Sequence, residues 1–171
     1  MSRLGVGQII SFVVILLFQV TFLKNVVLFD VAFCFLYVSA ILLLPVDTNR
    51  LLLLVLGFVA GIFVDLFYES LGMHAAACVF IMYIRNYYLS LVTPQGGYDS
   101  NVRPTLAANG IQWFLVYLTP LVFIHQLLLF FLEAGGFGLF WFTLWKALAS
   151  TVLTTTVIVI VQLLFPDRRR I

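Results

Sequence analysis

Residues 51–68 read LLLLVLGFVAGIFVDLFY, an apolar run whose first charge after Arg50 is Asp65. As a helix it extends about 27 Å at 1.5 Å per residue, close to the roughly 30 Å of a bilayer's hydrocarbon core. Four further runs meet the same length test: Val6 to Leu23, Gly72 to Val92, Ile111 to Leu132 and Phe140 to Phe165. A sixth, Phe29 to Pro45, is marginal, because its uninterrupted part spans only Val31 to Leu44, a length that also suits a re-entrant segment.

Composition agrees. The chain is 64% hydrophobic and 9% charged over 171 residues, with a mean hydropathy of +1.16. Nine Lys and Arg plus seven Asp and Glu cannot clothe a water-facing shell for a domain this long, so the expected outer shell is lipid. Eighteen Phe, seven Tyr and three Trp suit lipid-facing and headgroup-level positions. A net charge of +2 without a basic stripe argues against nucleic-acid binding. Cys34 and Cys78 lie inside apolar runs and read as small packing residues, with no metal-ligand spacing.

Loop charge sets the topology, because cytoplasmic loops carry excess Lys and Arg. With six crossings and a cytoplasmic N-terminus, Arg3, Arg50, Arg103 and Arg168, Arg169 and Arg170 fall inside, and Lys24 falls outside. If the Phe29 to Pro45 run does not cross, Arg103 and the terminal arginines move outside and the bias is lost. The first run ends in Thr21-Phe22-Leu23-Lys24 rather than at a small-residue cleavage site, so it reads as a membrane helix and not a signal peptide. The expected fold is all-α: one transmembrane domain over residues 1–171, a polytopic bundle of six helices with both termini cytoplasmic. The longest connection, Thr93 to Asn109, contains Pro94-Gln95-Gly96-Gly97 and reads as an irregular loop.

Residues that carry chemistry are few. Gly57, Gly61 and Asp65 recur every four positions and line one side of a helix, either as an ordinary close helix contact or as a face that docks a partner. Asp65 and Lys146 each lie within a run at a depth where a charge needs a partner, which makes them a candidate ion pair. Asp65, His74, His125, Gln126 and Lys146, with Glu133, are candidates for an outward-facing polar cluster; the plainer reading is that residues at helix ends reach interfacial water. Arg85, beside Tyr83, Tyr87 and Tyr88, reads as an inner-leaflet anchor, as do Arg168, Arg169 and Arg170. No nucleophile with a paired base, no phosphate loop and no cofactor motif is visible, so an enzyme is the least supported class.

The stretch from Gly57 through Gly61 to Asp65, continuing as Leu71-Gly72-Met73-His74-Ala75, resembles the signature of the bacterial rod shape-determining MreD family. In that family a helix with spaced glycines ends in Asp, and a short turn leads through Leu-Gly-x-x-Ala into the next helix. Here the turn is Tyr68-Glu69-Ser70, where the family often has Gly or Pro. The resemblance implies a non-catalytic, multi-pass scaffold of the bacterial inner membrane, belonging to the rod complex that drives cell elongation, cell shape and peptidoglycan synthesis. Its implied partners are an MreC-like bitopic protein and, through it, the MreB filament, a SEDS-type glycosyltransferase and a penicillin-binding transpeptidase. The family is also similar to the six-helix substrate-binding components of energy-coupling-factor vitamin transporters, which supplies a rival reading. The first helix lacks the Ala-x-x-x-Ala motif that those components present to their coupling partner.

Overall fold

The computed structural model describes residues 6–98 and 102–166. The chain is mostly helical. Helix α1 (Val6–Phe18) continues as a π-helical stretch, Gln19–Leu23. Then come a two-stranded hairpin, β1 (Val27–Leu28) and β2 (Ala32–Phe33), and a short helix α2 (Tyr37–Leu42). The long helices α3 (Arg50–Tyr68) and α4 (Met73–Leu91) follow. A four-residue α5 (Leu106–Asn109) precedes α6 (Ile111–Glu133) and α7 (Phe140–Leu164). Helices α3, α6 and α7 are long and apolar enough to cross a membrane, while Gly7–Leu23 is a shorter apolar helix. Helix α4 has the length but carries His74, Arg85 and Asn86 within it.

The helix boundaries have local causes. Asn49 caps α3 by accepting a hydrogen bond from the Leu51 N–H at 2.8 Å. The helix stops at Glu69, which adopts a left-handed conformation (φ 55°) and donates its N–H to the Asp65 carbonyl. Gly72, also left-handed at φ 81°, turns the chain into α4.

The Phe29 to Pro45 run departs from the expected transmembrane helix. Two successive left-handed residues, Phe29 (φ 53°) and Asp30 (φ 57°), close the β1–β2 hairpin, with Val31 N–H bonded to the Leu28 carbonyl. The chain then runs extended into α2, whose six residues are all buried. Phe33 lies beside Phe130, near the C-terminal end of α6, whereas Val46 N–H bonds the Val102 carbonyl at the other end of the bundle. This segment therefore traverses the bundle in a broken, partly extended form. The start of α1 and the end of α7 line a common groove beside Pro45.

The helices turn apolar side chains outward as well as inward. Trp141, Trp145 and Val152 on α7, Phe58 and Leu66 on α3, and Ile10 and Val14 on α1 are exposed. Such faces are stable against hydrocarbon rather than water. Inside, Gly57 and Gly61 bring α3 onto α4. A Cβ on Gly61 would lie 2.3 Å from Ala75 Cα and 2.6 Å from its N, whereas one on Gly57 would meet the flexible Met82 side chain at 2.9 Å and the Cys78 carbonyl oxygen at 3.2 Å. The stripe read from the sequence is thus spent on helix packing within the chain.

Two substitutions separate these contacts. Gly61→Ala must push two backbones apart and is expected to cost about 2–3 kcal/mol, the upper part of the overpacking range. Gly57→Ala displaces mainly a Met side chain and regains up to about 1 kcal/mol of helix propensity, so it should be near neutral. Thermal unfolding in detergent, followed by size-exclusion fluorescence, checks this; equal stability of the two variants would contradict the close α3–α4 contact.

Candidate functional site in the bundle interior

A pass without continuous helix leaves backbone N–H and C=O groups unpaired, and hydrocarbon offers no water to satisfy them. The surrounding helices supply partners instead. From α7, the Ser150 hydroxyl accepts from Phe33 N–H at 2.9 Å, and Thr154 Oγ1 accepts from Phe35 N–H at 3.1 Å. Thr154 also donates to the Phe33 carbonyl at 3.3 Å and accepts from Gln126 Nε2 at 3.2 Å, which uses its one proton and both lone pairs. The π-helical stretch after α1 places Gln19 inside. Its Nε2 donates to the Cys34 carbonyl at 3.0 Å and to Tyr68 at 2.9 Å, and its Oε1 accepts from Tyr37 N–H at 3.2 Å.

The other half of the pass ends on arginine. Arg85 is fully buried and donates to the Leu42 carbonyl through Nε (3.4 Å) and Nη2 (3.3 Å), to Leu44 O, and to the Tyr117 hydroxyl at 2.9 Å. Tyr117 in turn donates to Leu42 O at 2.8 Å. Arg103 Nε takes the Leu43 carbonyl at 3.0 Å. Cations at the carbonyl end of a helix satisfy its orphan acceptors, and here they close α2. This corrects the expectation that Arg85 anchors the chain at the inner headgroups. Its guanidinium is turned into the bundle, where the broken pass offers carbonyls that an unbroken helix would have kept for itself. Arg168, Arg169 and Arg170, like Arg3, lie outside the described residues.

Between these two halves sits a buried ring cluster. The Tyr37 hydroxyl lies 2.9 Å from His74 Nδ1 and 2.8 Å from His125 Nε2, with the Cys78 thiol 3.6 Å from the hydroxyl and 3.8 Å from His125. Phe35 packs edge-on against His74, the ring centroids 5.2 Å apart. The two histidines named from the sequence are therefore brought together through Tyr37; His125 is fully buried, whereas His74 also lines a cavity at this end of the bundle.

Asp65 has a different task. Its Oδ1 accepts from Ser70 Oγ at 2.6 Å and from His74 N–H at 3.0 Å, and its Oδ2 accepts from Ala75 N–H at 3.0 Å. A carboxylate from α3 thereby caps α4, whose own cap position is a side-chain-free glycine. The expected Asp65–Lys146 pair does not form. Lys146 bonds Glu133 at 2.8 Å and lies over the rings of Phe33 and Phe130. Gln126 turns to Thr154. The five-residue outer cluster is thus divided among three separate networks.

Gln19, Tyr37, Tyr117, Ser150 and Thr154 were not singled out from the sequence. A signal existed for three of them: Gln19 is an amide inside an otherwise apolar run, and Ser150 and Thr154 stand four apart on one helix face. Among the described residues, no group of three His, Cys, Asp and Glu side chains is placed to hold a metal ion. Compared with known proteins, the chain matches no family model, no curated protein and no solved structure.

Adjacent threonines on α7 test the seam. Thr154→Val strands Phe35 N–H, the Phe33 carbonyl and Gln126, and at about 1–3 kcal/mol for each unsatisfied buried group the loss should exceed 2 kcal/mol. Thr155, whose buried hydroxyl has no hydrogen-bond partner among the described residues, should tolerate Val with no loss or a slight gain. Unfolding of both variants in lipid nanodiscs decides it; equal effects would mean that the hydroxyl of Thr154 does not support the pass.

Proposed function

We propose that this chain is a non-catalytic scaffold of the bacterial inner membrane, whose six passes all cross the bilayer with both termini in the cytoplasm. In this reading it serves the rod complex in controlling cell shape and peptidoglycan synthesis. It docks an MreC-like bitopic protein and, through it, the MreB filament, a SEDS-type glycosyltransferase and a penicillin-binding transpeptidase. The observation that carries the reading is the α3–α4 hairpin. The residues that resemble the MreD signature each have a separate part in it: Gly61 admits Ala75, Asp65 caps α4, and Gly72 makes the left-handed turn. Arg50 and Arg103 fall at the end proposed to be cytoplasmic, in keeping with the positive-inside rule.

Because the glycine stripe is consumed inside the chain, the docking face is assigned elsewhere. A groove of about 690 Å³ lies between α1, the residues around α2 and the end of α7. Its walls are largely apolar, and Ser11, Ser39 and Ala40 keep parts of them low. Small residues of this kind let a single partner helix approach closely in lipid.

Affinity purification of the tagged protein in mild detergent, with mass spectrometry of what accompanies it, tests the proposal. Recovery of an MreC-like protein with wall-synthesis enzymes is expected. Ser11→Phe, which fills the groove from the exposed face of α1, should cut that recovery about tenfold while membrane insertion stays unchanged. Unchanged recovery would remove the groove as the docking face. Recovery of an ATPase with its coupling subunit would overturn the scaffold reading in favour of a transporter's substrate-binding component.

A further inference from the structure

At the end of the bundle where α3 turns into α4 and α6 into α7 there is a cavity of about 240 Å³. Phe33, Phe35, Tyr68 and Phe130 stand in its wall and touch one another. Ring centroids are 5.7 Å apart for Phe33 and Phe130, 6.1 Å for Phe35 and Phe130, and 6.0 Å for Phe35 and Tyr68. Aromatic faces carry the negative part of the ring quadrupole, so a concave set of them favours a cation.

Two of the chain's own ammonium groups already lie over these rings. Lys146 Nζ lies 4.6 Å from the Phe33 centroid and 4.3 Å from that of Phe130, and Lys24 Nζ lies 5.9 Å from the Tyr68 centroid. Two carboxylates complete the lining. Glu133 is engaged by Lys146, whereas Glu69 has no ion pair among the described residues. On the same wall, His74 is only 3% exposed. Its Nδ1 is held by Tyr37, and its Nε2 has no hydrogen-bond partner among the described residues. That nitrogen opens onto the cavity, where it can meet a polar group.

We infer that this cavity binds a small organic ammonium ion, an amine or quaternary ammonium of a few carbon atoms. The cation rests on the phenyl and phenol rings, Glu69 is its counter-ion, and His74 Nε2 meets the polar group at the other end of the ligand. The volume is below the roughly 300–1,000 Å³ typical of drug-sized ligands, which limits the occupant to a molecule about as large as choline. The inference is independent of the scaffold proposal, whose partners dock on the lipid-facing groove.

The test uses the full-length protein in lipid nanodiscs at fixed ionic strength, with choline as the probe and 3,3-dimethylbutan-1-ol as its uncharged isostere. Calorimetric titration should show saturable choline binding and no comparable binding of the isostere. Glu69→Gln should weaken choline about tenfold. Lys146→Met, which frees the faces of Phe33 and Phe130 together with Glu133, should strengthen it about three- to tenfold, a gain that a misfolded variant cannot imitate. Equal heats for choline and its isostere would overturn the inference, as would choline affinities that neither substitution changes. Co-purification of the wall-synthesis partners would be unaffected by either result.

Discussion

The structure is organised around the hydrogen-bonding demand of one irregular pass. Between Phe33 and Leu44 the backbone satisfies itself only in part, and each unpaired group in an apolar interior costs about 1–3 kcal/mol. The polar residues of the π-helical stretch, α4, the connection before α5, α6 and α7 are distributed accordingly. Gln19, Ser150 and Thr154 serve the extended half, and Arg85, Arg103 and Tyr117 serve the carbonyl end of α2. Seen this way, the polar side chains scattered through apolar runs form one seam that follows the irregular backbone. Arg85 shows how far this goes. A fully buried guanidinium would ordinarily be costly, yet here carbonyl oxygens and a phenol take most of its donors.

The α3–α4 hairpin is the rigid element beside this seam. Its close approach depends on Gly61, and its register depends on Asp65 reaching across to the first N–H groups of α4. The two devices reinforce each other. A carboxylate can cap a neighbouring helix at 3.0 Å only if the helices are already close, and the glycine makes them close. The same register brings His74 beside Tyr37 and the wall of the cavity at that end of the bundle.

Much of the architecture was legible because length and hydropathy are read directly from consecutive residues. Helices α3, α6 and α7 are long apolar runs, and the Gly57, Gly61 and Asp65 stripe follows from helical spacing alone. The Phe29 to Pro45 pass was not legible as a broken segment. Whether such a run stays helical depends on partners far away in sequence, such as Ser150, which is 117 residues from Phe33. The Arg85 reading erred for the same reason, since the Leu42 and Leu44 carbonyls become acceptors only once α2 ends there. For Lys146, depth along a helix gave a correct need for a partner but not its identity, because Glu133 and two aromatic rings meet its ammonium while Asp65 is taken up in capping α4.

The seam also has a consequence for biogenesis. The irregular pass is synthesised early, but the hydroxyls that complete it arrive with α7; Phe35 and Thr154 are 119 residues apart. At roughly 5–20 residues per second this gap lasts about 6 to 24 s. Throughout that interval the extended backbone lacks its hydroxyl partners, so this early-made segment stays incomplete until the last helix is present. Its stable residence among the helices is therefore an event of late assembly, and the final helix acts as the piece that lets an earlier one stay.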